Sequence, residues 1–277
     1  KLILSYHNFE ETPDDLEERL LEMRKTPASF YKIAVTANNC LDAMRMLCRT
    51  KASDGKLIAI SMGSHGQISR ILAPVVGCPI TYAALDDDQK SAPGQLTAKT
   101  LIEMYHHSSL NLQTKVYGLI GDPVDQSISN ITHNSLMAAY DLNAVYVKIQ
   151  VHPSELEEFF KLAKQLPFNG LSVTMPLKEH VLSFLDYIDP QAFEIGAVNT
   201  LVLKNSKLSG FNTDGIGALN AIEKSYRVKG KRIVIIGAGG ATKAIAFEAV
   251  RRGGLVTILN RDTDKAMQLT QRLQCIG

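Results

Sequence analysis

Short apolar runs alternate with stretches of helical period along the first hundred residues. The runs are 1–6 (KLILSY), 30–35 (FYKIAV), 57–62 (LIAISM) and 79–85 (PITYAAL). Between the first two, Thr12-Pro13-Asp14-Asp15 supplies an N-cap threonine, a proline for the first turn and acids behind it, followed by the apolar stripe Leu16, Leu20, Leu21, Met23. A second helix is expected near 39–50, with Leu41, Met44 and Leu47 on one face, and a third near 96–107. Such repetition predicts parallel strands in βαβ units. At roughly 26 residues a unit it matches a (β/α)8 barrel, which uses about 250 residues for eight. Residues 1–107 therefore predict the second half of a (β/α)8 barrel.

Residues 108–115 (SSLNLQTK) are polar and predict a linker. A second alternation follows, with strand runs at 115–120, 145–151, 170–175 and 197–203 and helices at 131–141, 154–166 and 177–187. A third segment opens at 231 with KRIVIIGAGGA, continues through a helix and reaches another strand at 255–259. The expected class is α/β, with boundaries at 1–112, 113–229 and 230–277. The chain opens at Lys1 inside an apolar run and closes at Gly277 behind a helix-like stretch, so both ends are expected to fall within domains.

Composition narrows the function classes. The formal net charge of +2 excludes a strongly basic nucleic-acid module and an acidic disordered tail. No apolar run approaches the roughly 18 residues of a membrane span, and no signal or transit segment is evident. Cys40, Cys48, Cys78 and Cys275 lack zinc-site spacing. They predict reduced, packed thiols, no metal, and a reducing compartment: cytoplasmic, or a plastid in a plant.

Two constellations carry chemistry. In the run 30–35, Tyr31, Ile33 and Val35 fit the face toward the outer helices, which turns Lys32 into the barrel. By the same alternation Leu2, Leu4 and Tyr6 lie outside, and Ile3, Ser5 and His7 inside. His7 falls at the C-terminal strand end, where barrel active sites lie. A desolvated lysine amine is a nucleophile toward a ketone, and a neighbouring histidine can shuttle the protons. Alternation alone equally allows an ion-paired Lys32 and a hydrogen-bonded His7.

The second constellation is a glycine loop, Gly237-Ala238-Gly239-Gly240-Ala241-Thr242, between an apolar strand and an apolar helix, where glycines admit a dinucleotide pyrophosphate to the helix N-terminus. The next strand ends Leu259-Asn260-Arg261, with Lys265 a turn later. An arginine there suits a 2′-phosphate, which favours NADP over NAD. Upstream, Ser127, Ser129, Thr174 and Asn199 suit a carboxylate and several hydroxyls. Lys178 with Asp214 is a candidate acid/base pair, although Asn212-Thr213-Asp214-Gly215 also fits a turn with an N-cap.

Together, Ser5-Tyr6-His7-Asn8-Phe9, the run at Lys32, Ser61-Met62-Gly63 with Ile68-Ser69-Arg70, and Ser91-Ala92-Pro93-Gly94-Gln95 resemble the second half of type I 3-dehydroquinate dehydratase. The resemblance implies a Schiff base on Lys32, proton transfer by His7, a substrate carboxylate on Arg70, and further substrate contacts from Ser91 and Gln95. Residues 115–277 resemble shikimate dehydrogenase. That resemblance implies Lys178 and Asp214 as the catalytic pair, with Ser127, Ser129, Thr174 and Asn199 on the substrate. Gln126 and Asn130 stand where that family usually has His and Pro. Ser172 stands where Asn is common. The two in series are similar to the bifunctional shikimate-pathway family. There 3-dehydroquinate is dehydrated to 3-dehydroshikimate, which NADPH reduces to shikimate. The other functions considered are a quinate/shikimate-type dehydrogenase and a non-catalytic dinucleotide-binding or assembly fragment.

Overall fold

The computed structural model describes residues 2–273, so Lys1, Cys275 and Gly277 lie outside the described residues. The chain divides after Leu171 into two compact units.

The first unit opens with β1 (Ile3–Asn8), α1 (Leu16–Arg24), β2 (Phe30–Thr36), α2 (Cys40–Ala52), β3 (Leu57–Met62) and α3 (Gln67–Ile71). The three strands form one parallel sheet in the order β1-β2-β3. Tyr31, Ile33 and Val35 pack with Leu16, Leu20, Met46 and Leu57 on the helical side, and Leu4 and Tyr6 join them. Each fully buried side chain in that layer contributes about 1.5–3 kcal/mol. Lys32 stands on the opposite face, as alternation requires. Ile3, Ser5 and His7 share that face but are exposed, because three strands cannot close over the face of an edge strand.

Two expectations fail in this region and a third holds in altered form. Residues 79–85 form no strand. Pro79 cannot donate to a ladder, and only Ala84 makes a bridge, to Thr97. Ile80 and Tyr82 still pack onto Ala34, Ile58 and Ile60. Thr12 does not cap α1: its hydroxyl donates to Thr36 O at 2.8 Å, and the helix starts at Leu16 behind Asp15. The helix near 96–107 is shorter than expected and widens to a π-helical turn at Thr100–Met104.

The first unit continues with β4 (Lys115–Gly121), α4 (Ser129–Ala139), β5 (Ala144–Gln150) and α5 (Leu156–Ala163). β4 and β5 pair in parallel. α2 is buried on two sides, one on the sheet and one on α5. Lys51 Nζ donates to Gln165 O at 2.7 Å, and Cys40 and Cys48 reach Glu155 and Leu162 O. This seam places the compact division later than the polar linker. Cys40, Cys48 and Cys78 are free, and burial pushes all three thiols up. β6 (Phe168–Val173) runs across the division.

The second unit contains α6 (Leu177–His180), β7 (Tyr187–Ile188), α7 (Pro190–Ile195), β8 (Thr200–Lys204), β9 (Lys207–Phe211), α8 (Asp214–Glu223), β10 (Arg232–Ile236), α9 (Gly240–Arg251), β11 (Leu255–Leu259) and α10 (Thr263–Leu273). The continuous helix expected over 177–187 stops early, because Val181–Phe184 is a 3-10 turn and β7 follows. β9 was not foreseen. It pairs antiparallel with β8 through Asn205 and Ser206, both at positive φ, which makes a tight hairpin of a segment with no run of its own. α7 was not foreseen either. Asp189 caps it by accepting from Gln191 N and Ala192 N. β10 and β11 pair in parallel, and their core joins Leu219, Ala246, Val256, Ile258 and Leu269.

Candidate functional site

Lys32, His7, Arg70, Ser91 and Gln95 line one recess of about 140 Å³ with Tyr82. Lys32 pairs in register with Ser5 and Ile58, and His7 with Ala34, so the two side chains lie diagonally on adjacent strands. Lys32 Nζ sits 4.5 Å from the centre of the Tyr82 ring. Among the described residues no carboxylate lies within ion-pair distance of it. Desolvation, and then the Lys32 charge, hold the His7 imidazole below its usual range, which leaves a neutral ring able to accept a proton at pH 7.

Arg70 is 2% exposed. Its Nη1 donates to Ser61 O at 2.8 Å, while Nε has no partner. Burial brings the guanidinium down to about 10. A buried cation with an open donor suits an anion. Ser91 donates to Gln95 Oε1 from its backbone at 2.8 Å and its hydroxyl at 3.2 Å, which closes the loop on itself.

Ser127 and Ser129 also belong to the first unit. Ser127 Oγ donates to Ser129 Oγ at 2.9 Å and accepts from Ser129 N at 3.2 Å, so the hydroxyls form one pair ahead of α4.

Lys178, Asn199 and Asp214 come together in the second unit. Lys178 Nζ donates to Asp214 Oδ2 at 2.5 Å, and Asn199 Nδ2 donates to Asp214 Oδ1 at 2.7 Å. Asn199 Oδ1 accepts from Thr213 N at 3.0 Å. Beneath them Asn212 accepts from Asp214 N and donates to Ala197 O. Both oxygens of Asp214 are therefore engaged and the ammonium is aimed. Thr213 takes the N-cap position of α8, which leaves the Asp214 side chain for Lys178. Thr174 follows β6, and its carbonyl accepts Leu177 N to start α6.

The glycine loop joins β10 to α9. Gly237 holds φ +116, a conformation side chains disfavour. A Cβ on Gly240 would stand 3.0 Å from Lys178 Cβ, so this glycine lets the loop close on the lysine, while a Cβ on Gly239 would meet nothing within 4 Å. Ala241 is exposed in the first turn of α9. A cleft of about 640 Å³ opens beside the loop, lined among others by Gly239, Lys243, Asn260, Arg261 and Lys265. Asn260 Nδ2 donates to Asp262 O, and Lys265 lies 3.5 Å from Asp262.

Sequence reasoning missed Tyr82 and Lys243. Tyr82 shares alternation with Ile80 in the run 79–85, a signal that was present. Lys243 pairs with Glu179 at 2.6 Å, a contact between segments that no local pattern announces. Among the described residues no cluster of His, Cys, Asp or Glu could hold a metal, and no helix is long and apolar enough to cross a membrane.

Residues 1–111 match the family Type I 3-dehydroquinase, and residues 119–201 match the Shikimate dehydrogenase substrate binding domain. The "Shikimate biosynthesis protein AroDE" of Chlamydia pneumoniae is 40% identical over 97% of this chain and 56% of its own length. The "Bifunctional 3-dehydroquinate dehydratase/shikimate dehydrogenase, chloroplastic" of Arabidopsis thaliana is 39% identical over 99% of this chain and 48% of its own length. The chain thus spans about half the length of these curated relatives. The crystal structure of shikimate 5-dehydrogenase from Thermus thermophilus, in complex with NADP(H) and shikimate, is 32% identical with a TM-score of 0.55, covering 59% of this chain and 62% of that one.

Proposed function

We propose, from a chain that joins a type I 3-dehydroquinase region to a shikimate dehydrogenase substrate domain and the start of a dinucleotide domain, that the protein carrying it catalyses two consecutive steps. The first is dehydration of 3-dehydroquinate to 3-dehydroshikimate. The second is reduction of that product to shikimate. We assign the first to residues 1–112, the shikimate-binding part of the second to 113–229, and the nucleotide site to the domain begun by 230–277.

In the first step Lys32 Nζ attacks the substrate ketone and water leaves as the imine forms. His7 takes the proton next to the imine and returns it to the departing hydroxyl. Hydrolysis of the product imine then frees Lys32. Arg70 takes the substrate carboxylate, with Ser91 and Gln95 on the hydroxyls. In the second step Lys178, aimed by Asp214, gives a proton to the oxygen as the ketone becomes an alcohol. Ser127 and Ser129 hold the carboxylate, and Thr174 and Asn199 the ring hydroxyls.

The residues of the second unit fit NADP. Gly239 leaves open space, α9 presents its N-terminus, and Lys243, Arg261 and Lys265 bring positive charge to the same cleft. Gly237, Gly239, Gly240 and Ala241 would hold the pyrophosphate, and Asn260, Arg261 and Lys265 the 2′-phosphate. Bound there, NADPH supplies the hydride. The observation that carries the reading is the close approach of Gly240 to Lys178, which brings a phosphate loop onto a carboxylate-aimed proton donor.

The full-length protein is the test. Borohydride added with 3-dehydroquinate should trap an adduct on the peptide containing Lys32, and 3-dehydroshikimate should drive NADPH oxidation. A protein that does neither overturns the proposal. Oxidation of quinate with NAD, in preference to shikimate with NADP, would instead make it a quinate-type dehydrogenase.

A further inference from the structure

β5 turns alternate side chains toward the loop that carries the serine pair. Lys148 Nζ donates to Asp125 O at 2.9 Å and to Ser127 O at 3.2 Å. Two residues on, Gln150 Nε2 donates to Asp122 Oδ1 at 2.8 Å. Two residues back, the backbone of Tyr146 exchanges hydrogen bonds with the Asn134 side chain of α4, both at 2.8 Å. Side chains of β5 thus hold the loop at its start and at the serines, and the backbone of the same strand holds the helix behind them.

The serine hydroxyls are neutral. A carboxylate that moves from water onto neutral donors alone keeps an uncompensated charge, which is costly. The Lys148 ammonium lies against the backbone of Ser127 itself. Two of its three N–H bonds go to the loop carbonyls, leaving one for a ligand oxygen.

We propose that Lys148 is a positioning and specificity residue of the serine site. It ties the loop so that the Ser127 and Ser129 hydroxyls stay paired, and it supplies the positive charge that selects a carboxylate over a neutral analogue. The inference rests on the assignment of these serines to the substrate carboxylate. A charge a few ångströms from a partly solvated carboxylate favours it by about tenfold in affinity or more. A lysine that merely held the backbone would show no preference between acid and ester.

The experiment measures dissociation constants of shikimate and of methyl shikimate on the full-length protein and its Lys148→Met and Lys148→Arg variants. The wild type should bind the acid better than the ester. Lys148→Met should weaken the acid about tenfold and the ester little, raising KM more than it lowers kcat. Lys148→Arg should keep the preference. If Lys148→Met does not fold, Lys148→Gln keeps a donor to the carbonyls without the charge and should lose the preference in the same way. A wild type that binds neither ligand overturns the substrate reading and this inference with it. A wild type that binds shikimate, with a neutral variant that is unchanged or weakened equally for acid and ester, overturns the inference alone.

Discussion

Lys32 and Lys178 carry the same ammonium into two settings, on β2 of the first unit and on α6 of the second. Lys32 lies over the face of Tyr82, beside a histidine held neutral, with its nearest strand neighbours apolar or uncharged. Lys178 meets a carboxylate whose other oxygen is taken by Asn199. An aromatic face tolerates a cation without fixing its direction. A carboxylate fixes both direction and charge. The difference teaches which chemistry each amine suits. The contrast accords with the roles proposed above, a nucleophile for Lys32 and a proton donor for Lys178. Residue type is identical, so the neighbours decide.

The sharpest way to break this contrast is to exchange the losses. Lys32→Ala should abolish dehydration and the borohydride adduct while leaving the reduction of 3-dehydroshikimate intact. Lys178→Ala should slow reduction by roughly 100- to 10,000-fold and leave the adduct intact. If the hydrogen-bonded pair acts as proposed, Asp214→Asn should behave like Lys178→Ala, and the double variant should be little worse than the worse single. Separate rate assays of the two steps decide it. A variant that loses both steps without unfolding, or additive losses at Lys178 and Asp214, would end the distinction.

A second difference between the units concerns what holds them. The first has the apolar layers on both sides of α2. The second has Glu248, which is 0% exposed and accepts from Arg251, Arg252 and Gln191. Hydrogen bonds from Arg251 foremost hold its carboxyl below the usual range. A group with a lowered folded-state pKa adds stability that is present above the ordinary carboxylate range and is lost as pH falls through the lowered value. Urea unfolding of the wild type should therefore show a stability loss below about pH 4 that Glu248→Gln lacks. Glu248→Ala should cost about 1–3 kcal/mol at pH 7, since it removes a buried acceptor from two guanidinium groups, of which Arg251 remains open to solvent. A flat acid profile in the wild type, or a loss under about 1 kcal/mol, would place Glu248 with ordinary surface carboxylates.

The smallest effect sharpens the cleft. Arg261 is exposed, so its contact with a phosphate is screened by solvent. Arg261→Ala should weaken NADP binding by about tenfold and NAD binding much less, as titrations of both cofactors would show. Equal losses would mean that Arg261 does not read the 2′-phosphate.

Much of this was legible in the chain itself. Alternation around Lys32 needs only period two, a local property, and it put Tyr31, Ile33 and Val35 on the helical side as found. The glycine loop between β10 and α9 was legible because a strand–loop–helix turn is short and contiguous. Local patterns failed where a local feature had a distant competitor. Thr12 left its cap for Thr36 O, and residues 79–85 packed inward without entering a ladder. The β8–β9 hairpin depended on two positive-φ residues, neither of them glycine.

What the sequence determined by itself was most of the elements, the faces of the strands it foresaw, and the residue types that could act. What the tertiary structure decided was company. Lys178 and Asp214 lie 36 positions apart and meet because Asn199, Asn212 and Ala197 tie the intervening strands to the start of α8. Gly240 reaches Lys178, and Lys148 reaches the serine loop, across gaps that no period spans. The physical reason is range. Side-chain direction along one element follows from backbone geometry within a few residues. The partner of a charge follows from which elements pair and pack, and long-range burial and hydrogen bonding settle that together.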